Sequence, residues 1–178
     1  MPSADLPHSP AAERNQAPIL GVMRKLLAPT GTALEIACGT GQHAACFGAA
    51  LPGWQWQPTD WQDTLFSSVI GWCAQHGAAN VQAPLRLDVT LSPWPTDAPA
   101  FSTPFDLIYC ANMLHIAPWE CCGGLMRGAA RHLGAQGVLV TYGPYLEQGV
   151  PTAEGNLAFD ASLRAQDPRW GIRAVEDV

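Results

Sequence analysis

The sequence predicts an α/β fold: a doubly wound, mostly parallel sheet with helices on both faces. Two patterns predict it. Short apolar runs that read as strands alternate with segments whose apolar residues recur at helical spacing, and the alternation holds from residue 11 to 143. A Gly-x-Gly turn, "CGTG" at 38–41, stands where the first apolar strand gives way to a helix. Size agrees: 178 residues, 48% of them hydrophobic and only 13% charged, can bury one core without disulfide or metal staples. Residues 1–8, polar and proline-bearing, are expected to be a flexible tail, and 9–178 a single domain.

The elements follow in order. Ile19, Leu20, Met23, Leu26 and Leu27 share one helical face in 11–27, behind a Ser9-Pro10 start with Glu13 in the first turn. Pro18 is expected to begin or kink this helix. "APTG" stops it, and 32–37 reads as a short buried strand. Residues 42–50 are small and apolar, suited to a helix packed close on a sheet; "LPG" ends it, and 54–58 forms the second strand. Leu65, Phe66, Val69, Ile70 and Cys73 mark a helix over 64–76, closed by Gly77, and 81–89 supplies a third strand. After the proline-rich "LSPWPTDAPAFSTP" come a fourth strand at 105–110, a helix at 118–133 and a fifth strand at 137–143. A last helix is expected at 156–165, with no sixth strand.

Charge excludes some functions. Nine Lys and Arg against fifteen Asp and Glu give a net charge of −6, which repels a phosphate backbone, so nucleic acid is not an expected partner. No apolar run is long enough to span a bilayer and no signal-peptide pattern opens the chain, so no membrane partner and a cytoplasmic location are expected. The six cysteines fall mainly within strand and helix patterns and read as free thiols; Cys121-Cys122 lacks the spacing of a zinc site, and no metal is expected.

The turn at 38–41 carries the chemistry. In an open parallel sheet, ligands bind beyond the carboxyl ends of the strands, and the loop after the first strand is the usual cradle. Gly39 and Gly41 let the backbone approach a ligand, and the following helix offers free N–H groups. Asp60 ends the second strand, where a carboxylate can accept both hydroxyls of a ribose. Asp88 ends the third, where an acid can accept from the exocyclic amine of adenine. Gly39-x-Gly41-x-x-Ala44 also satisfies a relaxed dinucleotide fingerprint, which keeps an NAD-dependent oxidoreductase as an alternative. Glu35 tips the balance, because negative charge favours a ligand with an ammonium and a cationic sulfonium, as in S-adenosyl-L-methionine.

Glu35, Ala37, Gly39 and Gly41 resemble motif I of class I methyltransferases, with Ala37 in place of the usual first glycine. The segments "ERNQAPIL", "LEIACGTGQHAA", "WQPTDWQ", "LRLDVT", "CANMLHIAPW", "TYGPY" and "NLAFDASLRAQDPRWGIR" are similar, in order and spacing, to a family of small predicted S-adenosylmethionine-dependent methyltransferases. That family is catalogued as a domain of unknown function and includes an animal methyltransferase-like protein. The resemblance covers about residues 9–173. It implies the Rossmann-like class I methyltransferase fold, S-adenosyl-L-methionine as cofactor and S-adenosyl-L-homocysteine as product. Family members continue past "WGIR" into a helix and a closing antiparallel strand pair. The chain is therefore expected to be shortened and to lack that pair, leaving an open sheet edge that a homo-oligomer would cover.

The expected activity is methyl transfer to a small-molecule O, N or S nucleophile. The alternative is a non-catalytic S-adenosylmethionine-binding module or a subunit completed by a partner chain. Cofactor contacts are assigned to Glu35, Ala37, Gly39, Gly41, Asp60, Asp88, Arg14 and Asn112. Asn112, Met113 and His115 follow the fourth strand, where such a fold presents the acceptor; with Asn15, Tyr142 and Tyr145 they form the expected substrate pocket. His115 is the candidate general base, since its ordinary pKa lies near neutrality, and Tyr142 is a second catalytic candidate.

Overall fold

The computed structural model describes residues 6–94 and 98–178. Residues 1–5 of the expected tail, and 95–97 of the proline-rich loop, lie outside the described residues. Pro7 lies against the third helix, its carbonyl accepting the Trp72 indole N–H at 2.9 Å.

Seventeen residues, Pro10–Leu26, form α1. Ser9 caps it by accepting the Ala12 N–H, and Pro10 fills a first-turn position that needs no donor. The helix continues through Pro18, so it does not begin there. The buried stripe Ala12, Asn15, Ile19 and Met23 continues on both sides of the proline. Burying Ile19 and Met23 stabilises by about 2 kcal/mol each, which offsets the roughly 3 kcal/mol that an internal proline costs.

Five parallel strands in the order β3-β2-β1-β4-β5 form the main sheet. They are β1 (Gly31–Ile36), β2 (Trp54–Asp60), β3 (Leu85–Arg86), β4 (Phe105–Ala111) and β5 (Leu133–Tyr142). Crossover helices α2 (Gln42–Ala50), α3 (Phe66–His76) and α4 (Glu120–His132) connect them. Alternation along the central strands divides the core. Ala33, Leu107 and Tyr109 face α1 and α2, packing with Ile19, Met23, Phe47, Trp54 and Trp56. Leu34, Ile36, Ile108 and Cys110 face α4, packing with Cys122, Leu125 and Ala129.

Three expectations about strands need correction. The run at 81–89 is not one strand: Val81 makes an isolated bridge to Trp56 and pairing resumes only at Leu85–Arg86. Pro84, which has no N–H to give a ladder, stands in the gap. The fifth strand starts at Leu133, directly after α4, with a register irregularity opposite 105–107 that absorbs the extra residues. Two further strands exist, β6 (Tyr145–Leu146) and β7 (Arg173–Ala174), which pair in parallel on either side of α5 (Glu154–Gln166). At two residues each they carry no periodicity to read. Among the described residues no antiparallel pair joins the main sheet, and β5 pairs only with β4. All six cysteines are free thiols.

Candidate functional site

The chain leaves β1 through two left-handed residues, Ala37 at φ 57° and Gly39 at φ 52°, and enters α2 through a third, Gly41 at φ 87°. Neighbours hold this turn on three sides. Asp60 Oδ2 accepts the Gly39 N–H at 3.0 Å, the Ser68 hydroxyl donates to the Thr40 carbonyl at 2.8 Å, and the Gln42 side-chain carbonyl accepts from Thr40 Oγ1 and from the Ser9 N–H. The loop is thus held by the protein's own hydrogen bonds, with Asp60 tied to it from the next strand. Ala37 is the strained member, because a Cβ in left-handed backbone costs about 1–2 kcal/mol. Ala37→Gly is therefore expected to be neutral or to stabilise by up to about 1 kcal/mol, where an alanine-to-glycine change normally destabilises. Denaturant unfolding of the two proteins measures the sign.

A cavity of about 500 Å³ opens beyond the strand tips, within the size range of small-molecule sites. Ile36, Ala37 and Gly39 line it from β1 and its loop, Asp60 and Trp61 from β2, Asp88 from the segment after β3, and Ala111 and Met113 from β4. The opposite wall combines Ile116, Ala117 and Pro118 with Asp167, Arg169 and Trp170 from beyond α5; Glu120 and Cys121 begin α4 there. The Arg169 guanidinium is already paired with Asp167, at 2.7 and 3.1 Å. The wall therefore carries four carboxylates, Asp60, Asp88, Glu120 and Asp167, and only this one cationic side chain.

The structure brings Ala37, Gly39, Asp60, Asp88 and Met113 together around the cavity. Asp88 also caps its own turn, with Oδ1 accepting the Thr90 N–H at 2.9 Å and the Thr90 hydroxyl at 2.7 Å. Other candidates lie elsewhere. Gly41 packs beneath the loop, where an added Cβ would meet Val69 Cα at 2.5 Å. Glu35 is 2% exposed, and its Oε2 accepts the Trp56 indole N–H at 2.7 Å. Burial, opposed by that bond and reinforced by Asp60, pushes its pKa up to about 8. At neutral pH it is mostly a neutral acid and supplies little of the negative charge assigned to it. Arg14 is exposed on α1. Asn112 takes left-handed backbone, tolerable for Asn, and its N–H donates to the Tyr142 carbonyl at 2.7 Å.

His115 is 4% exposed and is not a cavity-lining residue; its ring meets Phe159 edge-on and lies against Gly143. Burial first, then the positive charge of Arg173, lowers its pKa to about 4, so the ring is neutral at physiological pH. Tyr142 is 38% exposed, and the Tyr145 hydroxyl donates to Thr141 Oγ1 at 2.9 Å. Asn15 belongs to a buried relay: His43 Nε2 sits 2.6 Å from Asn15 Oδ1, and the Tyr109 hydroxyl lies 3.2 Å from His43 Nδ1. The pattern fits a neutral His43 protonated at Nε2, and burial lowers its pKa to about 4.

Both histidines tie stability to acidity. Their folded pKa lies below the unfolded value, so between pH 6.5 and 4 the unfolded chain binds protons that the folded chain refuses. Their contribution is complete above pH 6.5 and is lost as pH falls toward 4, about 3 kcal/mol per group at the end of that range. Thermal melts from pH 7 to 4.5 should show the loss, and His43→Gln should remove about one group's share of the slope.

Sequence reasoning gave no role to Trp61, Glu120, Cys121 or Asp167 to Trp170. Trp61 had a signal, since it directly follows Asp60; the "DPRW" residues had only their place in the family resemblance.

Comparisons place this geometry. The mitomycin 7-O-methyltransferase MmcR superposes with a TM-score of 0.75 at 15% identity, covering 94% of this chain and 45% of its own. The calicheamicin-biosynthesis methyltransferase CalO1, solved with SAH bound, gives 0.67 at 16%, covering 94% and 46%. YcgJ from Bacillus subtilis gives 0.65 at 16%, covering 93% and 64%. This chain spans about half to two thirds of the length of these solved structures. At such identities they show the fold, which is the Rossmann-like fold of class I methyltransferases. The family model described as "Protein of unknown function (DUF938)" matches residues 6–178, nearly the whole chain. The protein thus belongs to the DUF938 family and is built on the class I methyltransferase fold.

Proposed function

We propose that the protein binds S-adenosyl-L-methionine in this cavity and transfers its methyl group to a small-molecule nucleophile. One observation carries the reading. A left-handed Gly39 whose side is open to the cavity, with nothing within 4 Å of where a Cβ would stand, is hydrogen-bonded to the acid that ends the neighbouring strand. Asp60 spends Oδ2 on that bond and, on Oδ1, takes only a long 3.3 Å contact from the Gln62 N–H, which leaves acceptor capacity for ribose hydroxyls. Asp88 and Glu120 line the same cavity and offer acceptors for the exocyclic amine of a base, and the excess of carboxylates suits a ligand of net positive charge. SAH bound to CalO1, a protein of the same fold, supports the choice of cofactor.

When bound, S-adenosyl-L-methionine supplies a methyl group already activated on a cationic sulfur, so the chain's main task is to hold the acceptor in line and keep water away. Met113, Ile116, Ala117 and Trp170 give the cavity a largely apolar wall for the second task. His115, the expected base, is buried and outside the cavity lining, so it is not within reach of an acceptor held there, and transfer from an already activated sulfonium needs no obligatory base. The other expected contacts, Arg14 and Asn112 for the cofactor and Asn15, Tyr142 and Tyr145 for the acceptor, do not line this cavity, and none of them carries the proposal. A small-molecule acceptor, and a second copy of the chain along the β5 edge, are the proposed partners.

Release of S-adenosylhomocysteine from the full chain, measured against a panel of metabolites with O, N and S nucleophiles, tests the reading. Turnover on at least one acceptor is expected. Cofactor binding with no turnover on any acceptor favours the non-catalytic module instead.

A further inference from the structure

The geometry points to Arg173 as a positioning residue that fixes one wall of the cavity without lining it. Its guanidinium donates through Nε to the Leu114 carbonyl at 2.9 Å, and through Nη2 to the carbonyls of Ala117 at 2.9 Å and Arg169 at 2.8 Å. It also lies 5.3 Å from the centre of the Trp119 ring. None of the ion pairs among the described residues includes it. Burial first, then the charge of Arg164, lowers its pKa, with Asp160 acting the other way, while its hydrogen bonds go to carbonyls and its face to a ring.

The three carbonyls belong to two segments that are far apart in sequence. Leu114 and Ala117 sit in the turn after β4; Arg169 sits in the turn between α5 and β7. Both segments line the cavity, one through Ile116, Ala117 and Pro118, the other through Asp167, Arg169 and Trp170. A planar fork with donors in fixed directions can hold such carbonyls together, which a lysine ammonium does less well. Two further bonds lock the second segment: the Gly171 N–H donates to the His115 carbonyl at 3.0 Å, and the Ile172 N–H to Asp160 Oδ1 at 2.6 Å. Buried Ile172 anchors it between them. Arg173 therefore sets how closely Trp170 stands over the cavity, and with it how tightly a ligand is enclosed. The ligand consequence rests on the cofactor reading above; the fastening itself does not.

Hydrogen exchange and calorimetry on the full chain test both. In ligand-free Arg173→Ala, amides 170–172 should exchange at least about ten-fold faster than in the unsubstituted protein, with β1 and α2 unchanged. Affinity for S-adenosylhomocysteine should fall by at least about ten-fold. Arg173→Gln keeps part of the stem and two amide donors but loses the charge and the fork. It should fall between the two proteins in both measurements, and it carries the test if the alanine variant does not fold. Unchanged exchange at 170–172 in either variant overturns the fastening. Faster exchange with unchanged S-adenosylhomocysteine affinity overturns the link to the ligand. If the unsubstituted protein itself binds no S-adenosylhomocysteine, the cofactor reading fails, and the exchange measurement still decides the fastening.

Discussion

Gly41→Ala is expected to unfold the protein at a markedly lower temperature, while Gly39→Ala, two residues away, leaves it folded but weakens the proposed binding of S-adenosylhomocysteine. Both glycines take left-handed backbone, so each substitution carries the about 1–2 kcal/mol strain of a Cβ there. What surrounds them differs. At Gly41 the new Cβ would meet Val69 Cα at 2.5 Å and its Cβ at 2.9 Å, and backbone in the middle of α3 cannot step aside as a flexible side-chain tip can. Overpacking and strain together should cost about 3–4 kcal/mol, roughly 10 °C in melting temperature for a chain of this size. At Gly39 the new methyl meets nothing within 4 Å and projects on the cavity side. Stability should fall by only about 1 kcal/mol, whereas S-adenosylhomocysteine affinity should fall by at least about ten-fold through lost close approach. Melting curves and calorimetry on the two variants separate the effects; equal melting temperatures would contradict the assigned packing.

Glu35→Gln is expected to make the protein more stable at alkaline pH and nearly unchanged at pH 5. The carboxyl is buried and holds its proton up to about pH 8, against an ordinary value of 4.5. Because the folded pKa is the higher, the folded chain keeps a proton that the unfolded chain has released between these values. Glu35 therefore contributes stability that is present below pH 4.5 and is lost as pH rises to 8, about 5 kcal/mol over the interval. Glutamine carries no charge to release, and its amide oxygen can still accept the Trp56 N–H that Oε2 now accepts at 2.7 Å. Denaturant unfolding at pH 5 and pH 8.5 should show the variant gaining several kcal/mol on the wild type only at the higher pH. Parallel pH profiles would contradict a buried, protonated Glu35.

Glu35 also shows where sequence reading stops. Its position beside a glycine turn invites a functional role, but alternation along β1 sends it to the face of Ala33, under the α1 and α2 layer, and opposite the face of Leu34 and Ile36. The long central strands and crossover helices were legible because their apolar periods are strong and glycine or proline punctuates them. β3 was not, since Pro84 interrupts a run that otherwise reads as continuous, and β6 and β7 are too short to have a period. The cavity divides the same way. Ala37, Gly39, Asp60 and Asp88 stand at or just beyond strand tips, which topology alone brings together. Asp167, Arg169 and Trp170 belong to a segment held by long-range bonds, those of Arg173 to Leu114 and Ala117, spanning 59 and 56 residues, and that of the Gly171 N–H to the His115 carbonyl. No local pattern records a bond of that range.

Titration calorimetry of S-adenosylhomocysteine into the full chain and into its Asp60→Ala variant bears most directly on the proposed cofactor site. Asp60 is expected to take the ribose hydroxyls through charge-assisted bonds, and losing them should cost about 2–4 kcal/mol, a fall of at least about thirty-fold in affinity. Saturable binding to the wild type, that fall in the variant, and no heat with NAD are the predicted results. Equal affinity in both proteins, or heat with NAD and none with S-adenosylhomocysteine, would contradict the account.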